Sequence, residues 1–404
     1  QFIGENDPNS GNFMPESNYN TPVLQPYIVV KRTETQAVLE RNPYWPFVDS
    51  EGNQLPYIDK VIIHRANSQA MINTKTSTGE ATFSSRFLKT ENIPLFKKNA
   101  EKAGYNAYVY TRPLGTFPYI GFNFNIDDPK LRSLYRNKKF RIALSHAIDR
   151  KTINQKVFFG RAFPTQATVP PINKYWKEEY SEAYADYKPE QAQKLLDEIG
   201  IVDQNGDGWR ELPDGTKFKP NFIYMNPKVT SILELVRTDW RDIGIDLQIK
   251  LISPELRTQR MGSGNFDISM DGINAAEGIS FGQPTQMSKG LAPTGASLAP
   301  WPLWATWYRS NGKKGEEPPA RFKKLIKLVE TYAYSPNREE AEAAIREVVK
   351  AQAENLWVIG TVGMWPHPVV KDKNLKNVPN KSIFAYGIGY YQTILPSQWY
   401  LSSE

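Results

Sequence analysis

The chain contains no cysteine, which excludes disulfides and thiolate metal sites and suits a bacterial protein that folds outside the cytoplasm without an oxidation step. No apolar run approaches the length of about 20 residues that spans a bilayer as a helix, and no charged stretch followed by an apolar one opens the chain as an export signal. Histidine is scarce: His64, His146 and His367 lie in unrelated stretches with no ligand spacing, which leaves zinc or nickel chelation without support. The phosphate-cradling Gly-x-x-x-x-Gly-Lys loop and a cysteine nucleophile are both missing. Runs of one charge are missing too. The 50 Lys and Arg residues against 43 Asp and Glu give a net charge of +7, and their dispersal does not indicate a nucleic-acid footprint.

What is present is enough chain for two or three globular units, 404 residues with 40% hydrophobic content, and no repeat of solenoid or propeller period. Residues 26–40 read as a β-hairpin, Lys60–Arg65 as a buried strand and the region through Met71 as a helix stopped by Gly79. Tyr105–Tyr110 and Tyr119–Asn125 are two more strands. Beyond them the chain turns helix-rich: Lys138–Asp149 places Ala143, Leu144, Ala147 and Ile148 on one face, and Pro189–Ile199 places Ala192, Leu195, Leu196 and Ile199 likewise. Thr230–Ile243 is another such helix, followed by an alternating strand over Ile245–Ile252. Ala320–Tyr332 and Arg338–Glu354 form a final helix pair, the second opened by Asn337 with Glu340 three residues on, a capping-box spacing. Leu356–Gly363 reads as a buried strand. The fold class is α/β.

Ordered blocks along the chain carry a specific resemblance: Phe140 to Arg150 (FRIALSHAIDR) closely after Tyr119 to Asn125 (YIGFNFN), with LERNPYW from Leu39, LPYID from Leu55, YKPEQAQKLL from Tyr187, WRDIGIDL from Trp240 and Phe266-Asp267. Together they are similar to family 5 of the bacterial extracytoplasmic solute-binding proteins, the oligopeptide, dipeptide and nickel group of ABC importers. The resemblance implies a two-lobe periplasmic-binding-protein type II fold with hinge-crossing strands, in which a solute is caught between lobes and presented to a membrane permease. It implies lobe I over residues 1–121, lobe II over 122–364 and a return to lobe I over 365–404. Residues ahead of the LERNPYW block are fewer than in the family, so an N-terminal portion is expected to be missing, and with it any membrane anchor. The location implied is periplasmic or extracytoplasmic.

In peptide-binding relatives the strand after the Phe-Asp block leads to an Asp that neutralises the peptide's α-ammonium group. Here the run is Gly272-Ile-Asn274-Ala-Ala-Glu277, and the acidic residue is out of register. Asn274 and Glu277 are therefore the expected polar partners of the ligand. Ten Trp and 21 Tyr include three Trp within seven residues at 301–307, after a loop-rich stretch, which is neither a helix-core nor a strand pattern. Phe281, Trp301 and Trp304 are expected to stack on solute, and Trp304→Ala to weaken binding by about 1–3 kcal/mol. Tyr119 and Trp365 are placed by the resemblance at the floor of the cleft. The ligand expected is an oligosaccharide, an opine-like compound or an oligopeptide, bound by a monomer and delivered to permease subunits; a glycoside hydrolase acting on a similar ligand is the competing class.

Asp203-Gln-Asn205-Gly-Asp207-Gly208 fits the opening of an oxygen-rich calcium loop. Its twelfth position is Asp214, not the bidentate Glu of the complete pattern, so the stretch reads either as a calcium site or as a surface hairpin. No other cofactor is implied.

Overall fold

The computed structural model describes residues 2–5, 24–273, 290–295, 299–385 and 394–402. The chain divides into two compact units, one of residues 1–112 with 366–404 and one of residues 113–365. Both connections between them are X-Pro bonds, Arg112-Pro113 and Trp365-Pro366. The strand around Tyr119, cut at residue 121 in the sequence-based division, lies wholly in the second unit.

The first unit carries β1 (Phe2–Glu5), β2 (Tyr27–Arg32), β3 (Gln36–Arg41), β4 (Lys60–Ala66), α1 (Gln69–Ser77), β5 (Phe83–Ser84), α2 (Ile93–Asn99) and β6 (Tyr105–Arg112). The second unit carries β7 (Thr116–Phe122), α3 (Pro129–Arg136), α4 (Lys138–His146), α5 (Arg150–Phe158), β8 (Phe163–Pro164), α6 (Glu178–Glu182), α7 (Pro189–Glu198), β9 (Asn221–Tyr224), α8 (Thr230–Arg241), β10 (Gln248–Leu251), α9 (Pro254–Ser263) and β11 (Ile268–Ile273). It closes with α10 (Pro302–Arg309), α11 (Ala320–Tyr334), α12 (Arg338–Asn355), β12 (Val358–Ile359) and β13 (Val362–Gly363), before β14 (Trp365–Asp372) returns the chain to the first unit.

The first unit's sheet runs β2-β3-β4-β1-β5-β14-β6. The hairpin of β2 and β3 is antiparallel, and β3 pairs antiparallel with β4. Phe83, Tyr110, Val369 and Trp399 form part of a buried cluster there.

The second unit's sheet runs β10-β9-β11-β7-β12. β10, β9 and β11 are mutually parallel, while β11 and β12 flank β7 antiparallel. The face of α4 set by Ala143 and Leu144, with Ala147 and Ile148 just beyond it, is fully buried, as its periodicity predicts. The helix ends sooner than that pattern suggests, because Asp149 caps α5 by accepting from Thr152 N. Phe122 of β7 anchors the core, its ring 5.2 Å from Tyr135, 5.3 Å from Phe140 and 6.2 Å from Trp240. At the start of α12 the Asn337 side chain accepts from the amides of Glu339 and Glu340, whereas the Glu340 carboxylate accepts a hydrogen bond from the Ser335 hydroxyl instead of completing the box.

Candidate functional site

The end of the second unit where both connections emerge is built by three backbone approaches. Gly115 N donates to Ile273 O at 2.8 Å and Met364 N to Leu114 O at 2.8 Å, so the end of β11 and both connecting segments lie side by side. A Cβ on Gly115 would sit 1.9 Å from Thr168 O, and one on Gly363 would sit 2.4 Å from Gly115 O. Only glycine permits backbones this close.

Two residues named from the sequence lie in this region. Tyr119 is fully buried, opposite Asp271 in the β7–β11 ladder. Burial, reinforced by the Asp271 charge, holds its hydroxyl well above the usual phenol range, with Arg257 and the Ala299 amide pulling the other way. The phenol therefore stays neutral at physiological pH. Trp365 is buried between Phe117, 5.2 Å away edge-on, and Phe158, 4.7 Å away. Its indole N–H has no hydrogen-bond partner among the described residues. The same holds for Thr168 Oγ1, beside Gly115, and for Arg257 Nε, whose Nη2 donates to Met270 O at 2.9 Å. Each buried donor left unpaired costs about 1–3 kcal/mol, and such groups in a native protein call for a partner that completes them. Sequence reasoning named neither Thr168 nor Arg257.

Asn274, Glu277 and Phe281 lie outside the described residues. Trp301 and Trp304 are described, and both expectations of a stacking surface are corrected. The segment is helical after all: Pro302 opens α10 at its first turn, where a missing N–H is harmless. Trp304 is fully buried, its indole N–H donates to Glu316 Oε1 at 3.0 Å, the Arg136 guanidinium lies 5.0 Å from its ring and Phe322 lies 4.5 Å away. Trp301 is equally buried, packed on Phe322 at 5.7 Å and Trp357 at 6.1 Å. Both rings are buried and packed on core aromatics, and the Trp301 indole N–H, unlike that of Trp304, has no partner among the described residues.

The Asp203 loop gathers a different acid set from the one expected. Carboxylate oxygens of Asp203, Asp207 and Glu211 lie within 4.8 Å of one another. Asp214, the twelfth position, is turned away and paired with Lys130, which holds its carboxyl down at about 2. The loop's oxygens have partners of their own: Asp203 accepts from Gly206 N and Gly208 N, Asp207 from Trp209 N and Lys217 Nζ, and Glu211 from Gln204 N and Asn205 Nδ2. Four backbone amides, the Asn205 side-chain amide and the Lys217 ammonium group thus hydrogen-bond these three carboxylates.

A cavity of about 700 Å³ in the second unit, lined by Tyr175, Trp176, Tyr180 and Tyr184 with Arg346 and Lys350, includes none of the residues named from the sequence. Its cations are already engaged, Arg346 with Glu342 at 2.9 Å and Lys350 with Glu354 at 3.7 Å. No helix among the described residues is long and apolar enough to cross a membrane.

Comparison with known proteins adds the following. Residues 5–289 match the family model of bacterial extracellular solute-binding proteins, family 5 Middle. The periplasmic alpha-galactoside-binding protein of Rhizobium meliloti is 24% identical over 396 residues, 91% of this chain and 53% of that protein. The oligopeptide-binding protein AppA of Bacillus subtilis is 26% identical over 220 residues, 52% of this chain and 37% of that one. Among solved structures, an oligopeptide-binding protein OppA superposes with a TM-score of 0.75 at 29% identity, covering 96% of this chain and 63% of its own. The binding protein MelB of Agrobacterium fabrum, in complex with stachyose, gives 0.68 at 23% identity, covering 95% and 58%. The chain spans about half the length of the curated relatives it matches most extensively.

Proposed function

Because the chain belongs to family 5 of the bacterial extracellular solute-binding proteins and shares their two-lobe type II fold, we propose that it is the solute-capturing component of an ABC importer. It works outside the cytoplasmic membrane as a monomer, takes up a neutral oligosaccharide and passes it unaltered to the permease subunits. The observation that carries this reading is the connection end of the second unit, where the Trp365 indole N–H is buried without a partner beside the aromatic rings of Phe117 and Phe158, and the Thr168 hydroxyl, on the residue whose backbone approaches Gly115, is likewise unpartnered among the described residues. Uncharged donors next to flat apolar rings suit a ligand whose hydroxyl and ring oxygens need donors and whose C–H faces need apolar cover. The alpha-galactoside-binding relative, matched over 91% of this chain, supports the same class.

An oligopeptide is the second reading, favoured by the 29% identity to OppA. Calorimetry with stachyose, and mass spectrometry of any compound released on denaturing the purified protein, separate the two. Stachyose is expected to bind, to raise stability by about 2.7 kcal/mol at a hundredfold excess over its Kd, and to be recovered intact. A released peptide with no heat from stachyose would select the second reading, and cleaved stachyose would make the protein an enzyme.

The protein is further proposed to need no cofactor, its Asp203 loop being held by its own donors. Millimolar calcium or EDTA is then expected to leave the melting temperature unchanged. A calcium-dependent rise abolished in Asp203→Asn would place an ion there.

A further inference from the structure

Arg141 and Arg150 are interior cations that form no ion pair among the described residues. Arg141 lies on α4 and Arg150 at the start of α5, 2% and 3% exposed. Burial lowers the basicity of both to about 9, in Arg141 with help from Arg321 and in Arg150 against the pull of Asp239 and Asp186. Such groups are costly to bury, and the backbone atoms they hold explain their presence.

Arg141 donates from Nε to Leu356 O at 2.7 Å and from Nη2 to Asn355 O at 3.0 Å. Arg150 donates from Nε to Gly360 O at 3.0 Å, while its other nitrogens bond Ser145 O, Ser145 Oγ and Ala185 O. The two guanidinium groups therefore grip the carbonyls on either side of β12, a strand with only two residues in its ladder, Val358 opposite Gly121 and Ile359 opposite Ile120. Three more side chains complete the hold. Gln352 takes the Trp357 amide and donates to Val358 O, Gln166 accepts from Gly360 N, and Thr116 Oγ1 accepts from Thr361 N. Four residues beyond Gly360 come Met364, in the left-handed region at φ +49 and bonded to Leu114 O, and then Trp365.

We infer that Arg141 and Arg150 are positioning residues: a two-point clamp on residues 355–361 that fixes where the chain delivers Trp365. The inference rests on the reading that Trp365 contacts the solute. A guanidinium suits the task because its planar fork reaches several carbonyls at once, which an ammonium group cannot do. A short strand with so small a ladder needs that external hold, since each ladder bond omitted must be replaced by a side chain or left unmade.

The test is a double-mutant cycle in the purified full chain with stachyose as probe, using Arg150→Lys, Trp365→Phe and the double variant, with amide hydrogen exchange measured on the ligand-free proteins. Arg150→Lys keeps the charge and gives up the planar fork. Each single variant is expected to weaken stachyose binding about tenfold, the double variant to be no weaker than the worse single one, and exchange over 360–365 to quicken in Arg150→Lys. Additive losses, or an Arg150→Lys protein that keeps its affinity, would overturn the positioning role. Should the unaltered protein bind no stachyose, the ligand reading fails by itself. Exchange then decides the clamp: faster exchange confined to 360–365 supports it, and unchanged exchange there refutes it.

Discussion

Trp304→Ala is expected to lower the unfolding free energy by about 3–5 kcal/mol while leaving solute affinity intact below the variant's melting temperature. The indole fills the space between Phe322, Phe124 and the Arg136 guanidinium. Its removal opens a cavity and also takes the N–H from Glu316, a carboxylate that Arg136 approaches at 3.2 Å and Arg132 at 3.3 Å. Denaturant titration reads the first effect and calorimetry the second. A variant with unchanged stability and weakened binding would return Trp304 to the ligand surface, where the sequence first placed it.

The second large effect is expected at Gly360. A Cβ there would stand 2.2 Å from Ala167 N and 2.3 Å from Gln166 C, both backbone atoms. Backbone cannot rotate aside as a side chain can, so Gly360→Ala must push apart the 166–167 segment and the start of the return to the first unit, at a cost of about 3 kcal/mol. Gly262→Ala provides the contrast. Nothing lies within 4 Å of its added Cβ, and the residue sits in α9, so a gain of about 0.5–1 kcal/mol is expected from the lower entropy of the unfolded chain. Equal melting temperatures for the two variants would show that the close backbone approach has been misjudged.

The contrast between these sites shows what could be read from the residues alone. Apolar spacing placed the buried stripe of α4, because Ala147 and Ile148 repeat Ala143 and Leu144 four residues on, and periodicity survives without tertiary knowledge. The same block hid the role of Arg141 and Arg150. A charged residue in a helix reads as surface by default, and only the fold shows that carbonyls from residues 355–360 come to meet it. Ile245–Ile252 alternates as a strand, yet only Gln248–Leu251 enters the ladder; Ile245 and Leu247 are buried by packing without it. The three Trp at 301–307 fit no helix-core pattern by spacing, although Pro302 carries a helix-start signal, and clustered Trp is the stronger cue for an exposed surface. In the Asp203 loop the calcium-loop pattern points to the twelfth position, whereas the third carboxylate is Glu211, the ninth. Thr168 and Arg257 could not be found, since an unpaired donor is a property of the surroundings and leaves no mark in composition or spacing.

The contact between Leu114 and Met364 has a bearing on how this gene can be cut. The second unit begins and ends at neighbouring backbone atoms, 2.8 Å apart from N to O, so its ends can be joined by a very short linker with little loop-closure entropy. In protein-engineering terms, residues 113–365 form a cassette. Excision, or circular permutation with new termini at an exposed turn such as Asp203–Gly208, is expected to carry its five-stranded sheet and arginine-held strand along whole, which a cooperative melt of the isolated 113–365 fragment checks.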